Sequence, residues 1–483
     1  MKGHFFRKQE LERLLEDTLN KTLGQVDKNN VFDRTKTNPK ITGIAGDVIE
    51  QSVLGFPADN KQRPDLDVEG IDIELKTTGI RLSKKNSKQY EAKEPMSITA
   101  VSPKKIVKED FYDSNYWHKL ENMLLVYYHY DSFKTVKASE YANFYIRGYE
   151  FHKFSQEDEN RLRADWEIVR DFIRQLQNQY DKPENEYPRI SSELRSRLVY
   201  IDTAPKWPNR PRFRLKRQFL TSIVQNHFGN RLEQLPGKYM SFNDIDRKCS
   251  ELTSLYCGKT VQELVDILGI ESKISKVISE QIVVRMFGGE AKKISKIELF
   301  RKFGLVAKTI TLTKTGCRTE DMKLFTIDFD EWLDVDTKFE DSNIYDYFAN
   351  RQLLCILFEE PSMEASLKEN VFIGFKRLSF SDRFIQNDVK KVWEDIRDLV
   401  YNDKLRESII YDKHNKPRVN KKNGTIQTCV NFPKSKDSII FVRGTGQDSK
   451  DKPVVLNDIS MYRQNIWLKG SYVARELNEL EIL

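Results

Sequence analysis

"RPDLDVEGIDIELKTT", residues 63–78, sets five carboxylates and one lysine around a short apolar run. Ile71, Ile73 and Leu75 alternate with Asp72, Glu74 and Lys76, the two-residue period of a strand with one apolar and one charged face. Asp65 follows Pro64 at the head of the segment. The residues permit two readings. In the first, an edge strand carries these charges in solvent. In the second, Asp72, Glu74 and Lys76 stand together beside Asp65 and hold a hard divalent cation such as magnesium, which prefers carboxylate oxygens. A lysine on the same face can then orient or deprotonate an attacking water and offset phosphate charge. The acid-x-Lys triplet alone decides nothing, because Glu91 to Lys93, Asp246 to Lys248, Glu271 to Lys273 and Glu290 to Lys292 repeat it. What sets 63–78 apart is the Pro-Asp before it, the alternation, and Glu50 in a helical stretch upstream.

Around that strand the pattern predicts a helix over 5–26 and a shorter one over 43–55, closed by Gly55 and Pro57. Strands are expected at 71–78, 96–102 and 123–130, the last so apolar that it belongs in the middle of a sheet. A long charged helix covers about 156–180, proline-rich turns fill 183–211, and another helix starts near Gln218. A composition shift places a linker at 226–239, between domains 1–225 and 240–483.

The chain then starts again. "NKTLGQVD" (20–27) resembles "GKTVQELVD" (258–266), and "DVIEQSVLGF" (47–56) resembles "ISEQIVVRMFGG" (278–289). "GIDIELKTTGIRL" (70–82) resembles "GLVAKTITL" (304–312), and "ENMLLVYYHY" (121–130) resembles "NRQLLCILFEE" (350–360). Four matches in one order, about 230–240 residues apart, indicate two similar halves.

Composition narrows the classes. At 483 residues the chain exceeds one ordinary core. A charged fraction of 32% with mean hydropathy −0.62, and no run approaching the roughly 20 apolar residues of a membrane span, point to a cytoplasmic protein without membrane contact. Five cysteines without a CxxC pair and six scattered histidines argue against a disulfide framework or structural zinc. His118 and His129 lack the neighbours of a histidine nuclease motif, and His129 reads as structural. A net charge of +7 permits a polyanionic partner.

Glu50 in "GDVIEQSVLG", Asp65 in "RPDL", and Glu74 with Lys76 in "IELKT" resemble the Glu–Asp–Glu-x-Lys site of the MutH family, a branch of the PD-(D/E)XK nucleases. "YWHKLENMLLVYY" (116–128) resembles that family's His-Lys-Leu segment and brings Lys119 towards the site. Length and doubling resemble the two-domain, Sau-type restriction endonucleases, which cut GATC and pair an active MutH-like half with an inactive one. The resemblance implies an α/β fold of two MutH-like domains, each a mixed sheet flanked by helices. It implies magnesium-dependent cleavage of double-stranded DNA in which Asp65, Glu74 and Glu50 hold metal, Lys76 acts on the water and Lys119 supports phosphate. The spacing from Asp65 to Glu74 is about two residues longer than the family's pattern, which leaves Asp67 as a competitor for the aspartate role.

In the second half Val306 stands for Glu74, Lys308 for Lys76, Val283 for Glu50 and Ala349 for Lys119, so that half is expected to bind DNA without cutting it. By analogy it binds a second copy of the target as an allosteric effector, with dimerisation on DNA. "APKWPNRPRFRLKR" (204–217) carries six cations, interleaved with Trp207 and Phe213, and no acid. Lys206 and Arg210 are the expected base-edge contacts, while Arg212, Arg214 and Lys216 would share a strand face suited to phosphates. Arg443, Lys450, Lys452 and Lys469 occupy the matching region of the second half. A cognate DNA methyltransferase is expected as a separate protein. Competing readings are a nicking endonuclease of mismatch repair, a defence nuclease reading another or modified sequence, and a DNA-binding protein without catalysis.

Overall fold

The computed structural model describes residues 4–57, 64–83, 86–132, 134–317, 320–362, 364–420, 423–448 and 450–483. They divide into two compact units, one of residues 1–245 with 287–305 and the other of 246–286 with 306–483. Residues 226–239, expected as a linker, lie within the first unit, and the division is not a single cut. Among the described residues no helix is long and apolar enough to cross a membrane, and all five cysteines are free.

In the first unit the main sheet runs β1 (Phe5–Phe6), β2 (Leu66–Val68), β3 (Ile71–Ser83), β6 (Met123–His129), β7 (Tyr145–His152), with β4 (Asn86–Ala92) paired to the far end of β3. β3 is antiparallel to β2 and parallel to β6, so the sheet is mixed. β6 is the buried centre its composition predicts, with Met123 to Tyr128 all buried. A second sheet orders β5 (Met96–Ala100), β9 (Arg212–Leu215) and β8 (Ile201–Asp202), all antiparallel. The strand expected at 96–102 therefore forms, but its partner lies more than a hundred residues away in sequence.

The helix expected over 5–26 is broken. Phe5 and Phe6 pair with Asp67 and Val68, a helix spans Lys8–Glu16, and a new turn begins at Leu23. Asn20 adopts a left-handed φ of 58°, which ends the first run, and Thr22 with Gln25 forms a reciprocal capping box that starts the second. One face of the main sheet is apolar: Ile73, Leu75, Leu124 and Val126 pack with Leu11, Leu15, Val48 and Ile49 of the N-terminal helices.

The second unit repeats this plan. Its strands are β10 (Leu305–Leu312), β11 (Met322–Thr326), β12 (Gln352–Glu359), β13 (Val371–Leu378), β14 (Glu407–Ile409), β15 (Thr428–Val430), β16 (Ile440–Thr445), β17 (Val454–Leu456), β18 (Ile459–Met461) and β19 (Arg463–Leu468). The order β10-β12-β13 matches β3-β6-β7, and β11-β19-β16 matches β5-β9-β8. The likeness reaches local detail. Thr260 forms a capping box with Glu263 as Thr22 does with Gln25, and Thr260 bridges Val371 where Thr22 bridges Tyr145. Gly258 donates to the Phe372 carbonyl as Asn20 does to Ile146, each from a left-handed φ. Both halves are thus α/β domains of one topology.

Candidate active site

The β2–β3 hairpin delivers the first two carboxylates. Its register pairs Leu66 with Ile73, which sets Asp65 beside Glu74, and the Leu75 amide donates to Asp65 Oδ2 at 3.0 Å. Asp67 sits elsewhere: its carboxylate accepts from the Gly70 amide at 2.8 Å and closes the hairpin turn. Asp72, expected beside Glu74, is exposed at the turn end of the strand.

Glu74 is 1% exposed. Its Oε1 accepts from Lys76 Nζ at 2.6 Å and Lys119 Nζ at 2.7 Å, while Oε2 is buried with no hydrogen-bond partner. Lys119 arrives from the end of the short helix Asn115–His118, just before β6. Two ammonium groups on one oxygen offset the cost of burying the charge. The second oxygen is left wanting a donor or a cation.

Glu50 stands in the π-helical turn Ile49–Val53. Burial pushes its carboxyl up to about 7, reinforced by Asp65, Asp47 and Glu74 and opposed by Lys76. Asp65 is likewise raised, first by burial and then by Glu74, against the pull of Lys76, the Leu75 amide and Lys119. The five side chains expected from the sequence therefore sense one another's charge. Among the described residues no three His, Cys, Asp or Glu side chains enclose an ion as they stand. The donor chemistry nevertheless fits a divalent cation, because crowded, partly desolvated carboxylates and an orphan oxygen are what such a charge relieves.

The same face of the sheet carries a group with no sequence signature. Glu74 faces Met123 on β6, and Met123 faces His152 on β7, two strand spacings or about 10 Å away. Glu150 accepts from Tyr127 at 2.7 Å and lies 3.3 Å from His152 Nδ1 and 3.2 Å from His227 Nδ1. Burial raises its carboxyl, but the hydrogen bonds from His152, His227 and Tyr127 win and hold it down at about 2. These residues lie too far apart in sequence to form a motif.

The basic segment is only partly available to DNA. Lys206 is half-buried, Arg210 is exposed with Nη2 on Ser102 Oγ at 2.7 Å, and Arg212 is exposed. Arg214, in contrast, makes a bidentate pair with Asp202 at 2.7 and 3.0 Å. Lys216 is 4% exposed and donates to the Leu198 carbonyl at 2.5 Å. The expectation of three cations on one phosphate-facing strand is corrected: Arg214 joins two strands, and Lys216 has no surface to offer. His118 is exposed, and His129 is half-buried and lowered mainly by desolvation.

In the second unit Arg443 pairs with Asp321 at 2.7 Å and lies 5.0 Å from the Phe441 and Trp467 ring centres. Lys450 is exposed, Lys452 pairs with Glu407, and Lys469 occupies the N-cap position of the helix Gly470–Asn478 without a side-chain capping bond. Val283 and Ala349 are buried aliphatic residues, and Lys308 donates to the Lys323 carbonyl at 2.6 Å.

Residues 54–165, which hold Asp65, Glu74, Lys76 and Lys119, match the family described as DNA mismatch repair enzyme MutH; Glu50 lies just before the matched span. The chain thus carries a MutH-like nuclease domain of the PD-(D/E)XK class. Over 99% of its length it is 24% identical to the type II restriction enzyme Sau3AI of Staphylococcus aureus, 99% of which is covered. The chain is therefore similar to a MutH-like type II restriction endonuclease.

Proposed function

We propose that the chain is a magnesium-dependent restriction endonuclease that cuts both strands of DNA at a short sequence, GATC by kinship with the Sau-type enzymes. The observation that carries this reading is the buried Glu74, held on one oxygen by two lysines and free on the other, beside Asp65. Asp65, Glu74 and Glu50 are the residues that would hold the cation. When bound, a divalent metal stabilises charge on the scissile phosphate and favours ionisation of water. Glu74 fixes both lysine amines at one point. From there Lys76 orients the attacking water, and Lys119 offers a positive charge to a phosphate oxygen. Lys206, Arg210 and Arg212 lie on the loop and strand that would meet DNA, with Arg210 suited to a guanine edge.

The second half lacks carboxylates at the corresponding positions and is assigned the role of binding a further copy of the target. One cutting centre per chain requires two chains to sever a duplex, so dimerisation on DNA belongs to the reading, as does a separately encoded methyltransferase. Unmethylated plasmid incubated with magnesium or with EDTA tests it, with sequencing of the product ends. Discrete fragments only with magnesium, ending at GATC, are expected. Discrete fragments ending elsewhere would replace the target sequence, and intact plasmid in every metal would remove the nuclease reading.

A further inference from the structure

The second half has a strongly basic stretch of its own. Residues 404–430 hold seven lysines and arginines against two acids, a net of +5 in a chain whose total is +7. This stretch forms its own small sheet of β14 and β15, outside the two sheets that repeat the first unit's plan. Between the two, 417–420 folds in: Arg418 donates to Ile410 and Gln427 donates to Arg418, each at 2.8 Å, and Val419 bridges Ile426. Among the described residues the first unit has no counterpart. Its connection from the helix Gln156–Gln179 to β8 is filled by short helical turns, whereas the equivalent connection from Lys390–Tyr401 to β16 is longer and β-structured.

Both acids already have partners. Glu407 bonds Thr428 and Lys452, and Asp412 accepts from the amides of His414 and Lys416. Lys413, Lys416 and Arg418 are exposed and have no ion-pair partner among the described residues. Between these cations Ile409, Tyr411, Val419 and Ile426 are 40–52% exposed. A buried role does not explain such apolar surface. A protein partner would need complementary acids, and a DNA groove offers phosphates at its rim with sugars and thymine methyls inside.

We propose that residues 404–420 and 423–430 form a β-ribbon that engages double-stranded DNA, with Lys413, Lys416 and Arg418 on phosphates and the apolar residues against the groove. The major groove, about 12 Å wide, admits a two-stranded ribbon. This inference rests on the reading of the chain as a DNA-binding nuclease and assigns an element of the second half to that task.

The test uses the full chain with Glu74→Gln, so that duplex is bound but not cut, alone and combined with Lys413→Ala, Lys416→Ala and Arg418→Ala. Affinity for a GATC duplex is measured across salt concentrations in magnesium. The triple substitution is expected to weaken binding about 10- to 100-fold at 100 mM salt and to make the salt dependence shallower by 2 to 3 in log–log slope. Binding by both proteins with the same slope would overturn the ribbon's role alone. Failure of both to bind any duplex would overturn the nuclease reading and the ribbon with it. Unchanged DNA binding with altered sedimentation of the free chain would assign the surface to a second copy instead.

Discussion

At the scale of the residue, the account turns on which carboxylate does what. Asp65 and Asp67 lie two positions apart, yet one meets the Leu75 amide beside Glu74 and the other closes a turn on Gly70. Asp65→Ala should reduce metal-dependent cleavage by about 10²–10³-fold or more. Asp67→Ala should leave cleavage within a few fold and cost about 1 kcal/mol of stability through the lost turn hydrogen bond. Parallel digests and thermal melts of the two variants check this; equal loss of cleavage would contradict it. Glu150 gives a pH-dependent prediction. Its carboxyl lies lower in the folded chain than its ordinary value of 4.5, so its stabilisation is full above that pH and fades as pH falls towards about 2. With the side chain one-fifth exposed, the effect is on the order of 2 kcal/mol. Glu150→Gln should flatten acid unfolding across that window; unaltered acid sensitivity would locate the effect elsewhere. The Glu–Asp–Glu-x-Lys site was legible because its members sit close together around one strand. The Glu150 group was not, because its contacts join residues 127, 150, 152 and 227.

At the scale of the element, local pattern served where neighbours in sequence are neighbours in space. The strand at 71–78, the buried strand at 123–130 and the helix from about 156 all emerge from periodicity, and each forms. The helix expected at 5–26 did not survive, because Phe5 and Phe6 find a strand some sixty residues on and the capping box at Thr22 restarts the chain. The basic segment shows the same limit. Alternation placed Arg212, Arg214 and Lys216 on one strand face, but the strand ends at Leu215, and alternation could not reveal Asp202 or the Leu198 carbonyl as partners. Hence Lys216→Ala should cost about 1–2 kcal/mol with DNA affinity unchanged. Arg212→Ala should do the reverse, weakening binding several fold with melting unaffected. Denaturant melts and duplex titrations of both proteins separate the two roles; a DNA defect in the Lys216 variant without destabilisation would contradict the assignment. Asp165 accepts from the Val199, Tyr200 and Ile201 amides, so Asp165→Ala should be far more damaging, about 3 kcal/mol.

At the scale of the whole molecule, the four faint sequence matches between the halves became a shared topology. The Thr22 and Thr260 capping boxes recur in the same place, each bridged to the start of its own strand β7 or β13. The boundary was less legible, because residues 287–305 return to the first unit after the second has begun. One half holds Glu74, Glu50 and Lys119, and the other has Val306, Val283 and Ala349 in their stead. If each chain holds one cutting centre, as proposed, cleavage of a one-site plasmid should rise more steeply than linearly with enzyme concentration, and nicked circles should precede linear product when enzyme is limiting. Strictly linear dependence with direct linearisation would contradict pairing of chains.

The most direct test of the central claim compares wild type with Glu74→Gln at fixed magnesium, following duplex binding and strand cleavage in the same samples. If the strand that opens with Pro64 and Asp65 is the cutting strand, the variant binds duplex as wild type does and leaves it intact. If the variant still cuts at the wild-type rate, Glu74 and its two lysines are structural, and the catalytic centre lies elsewhere.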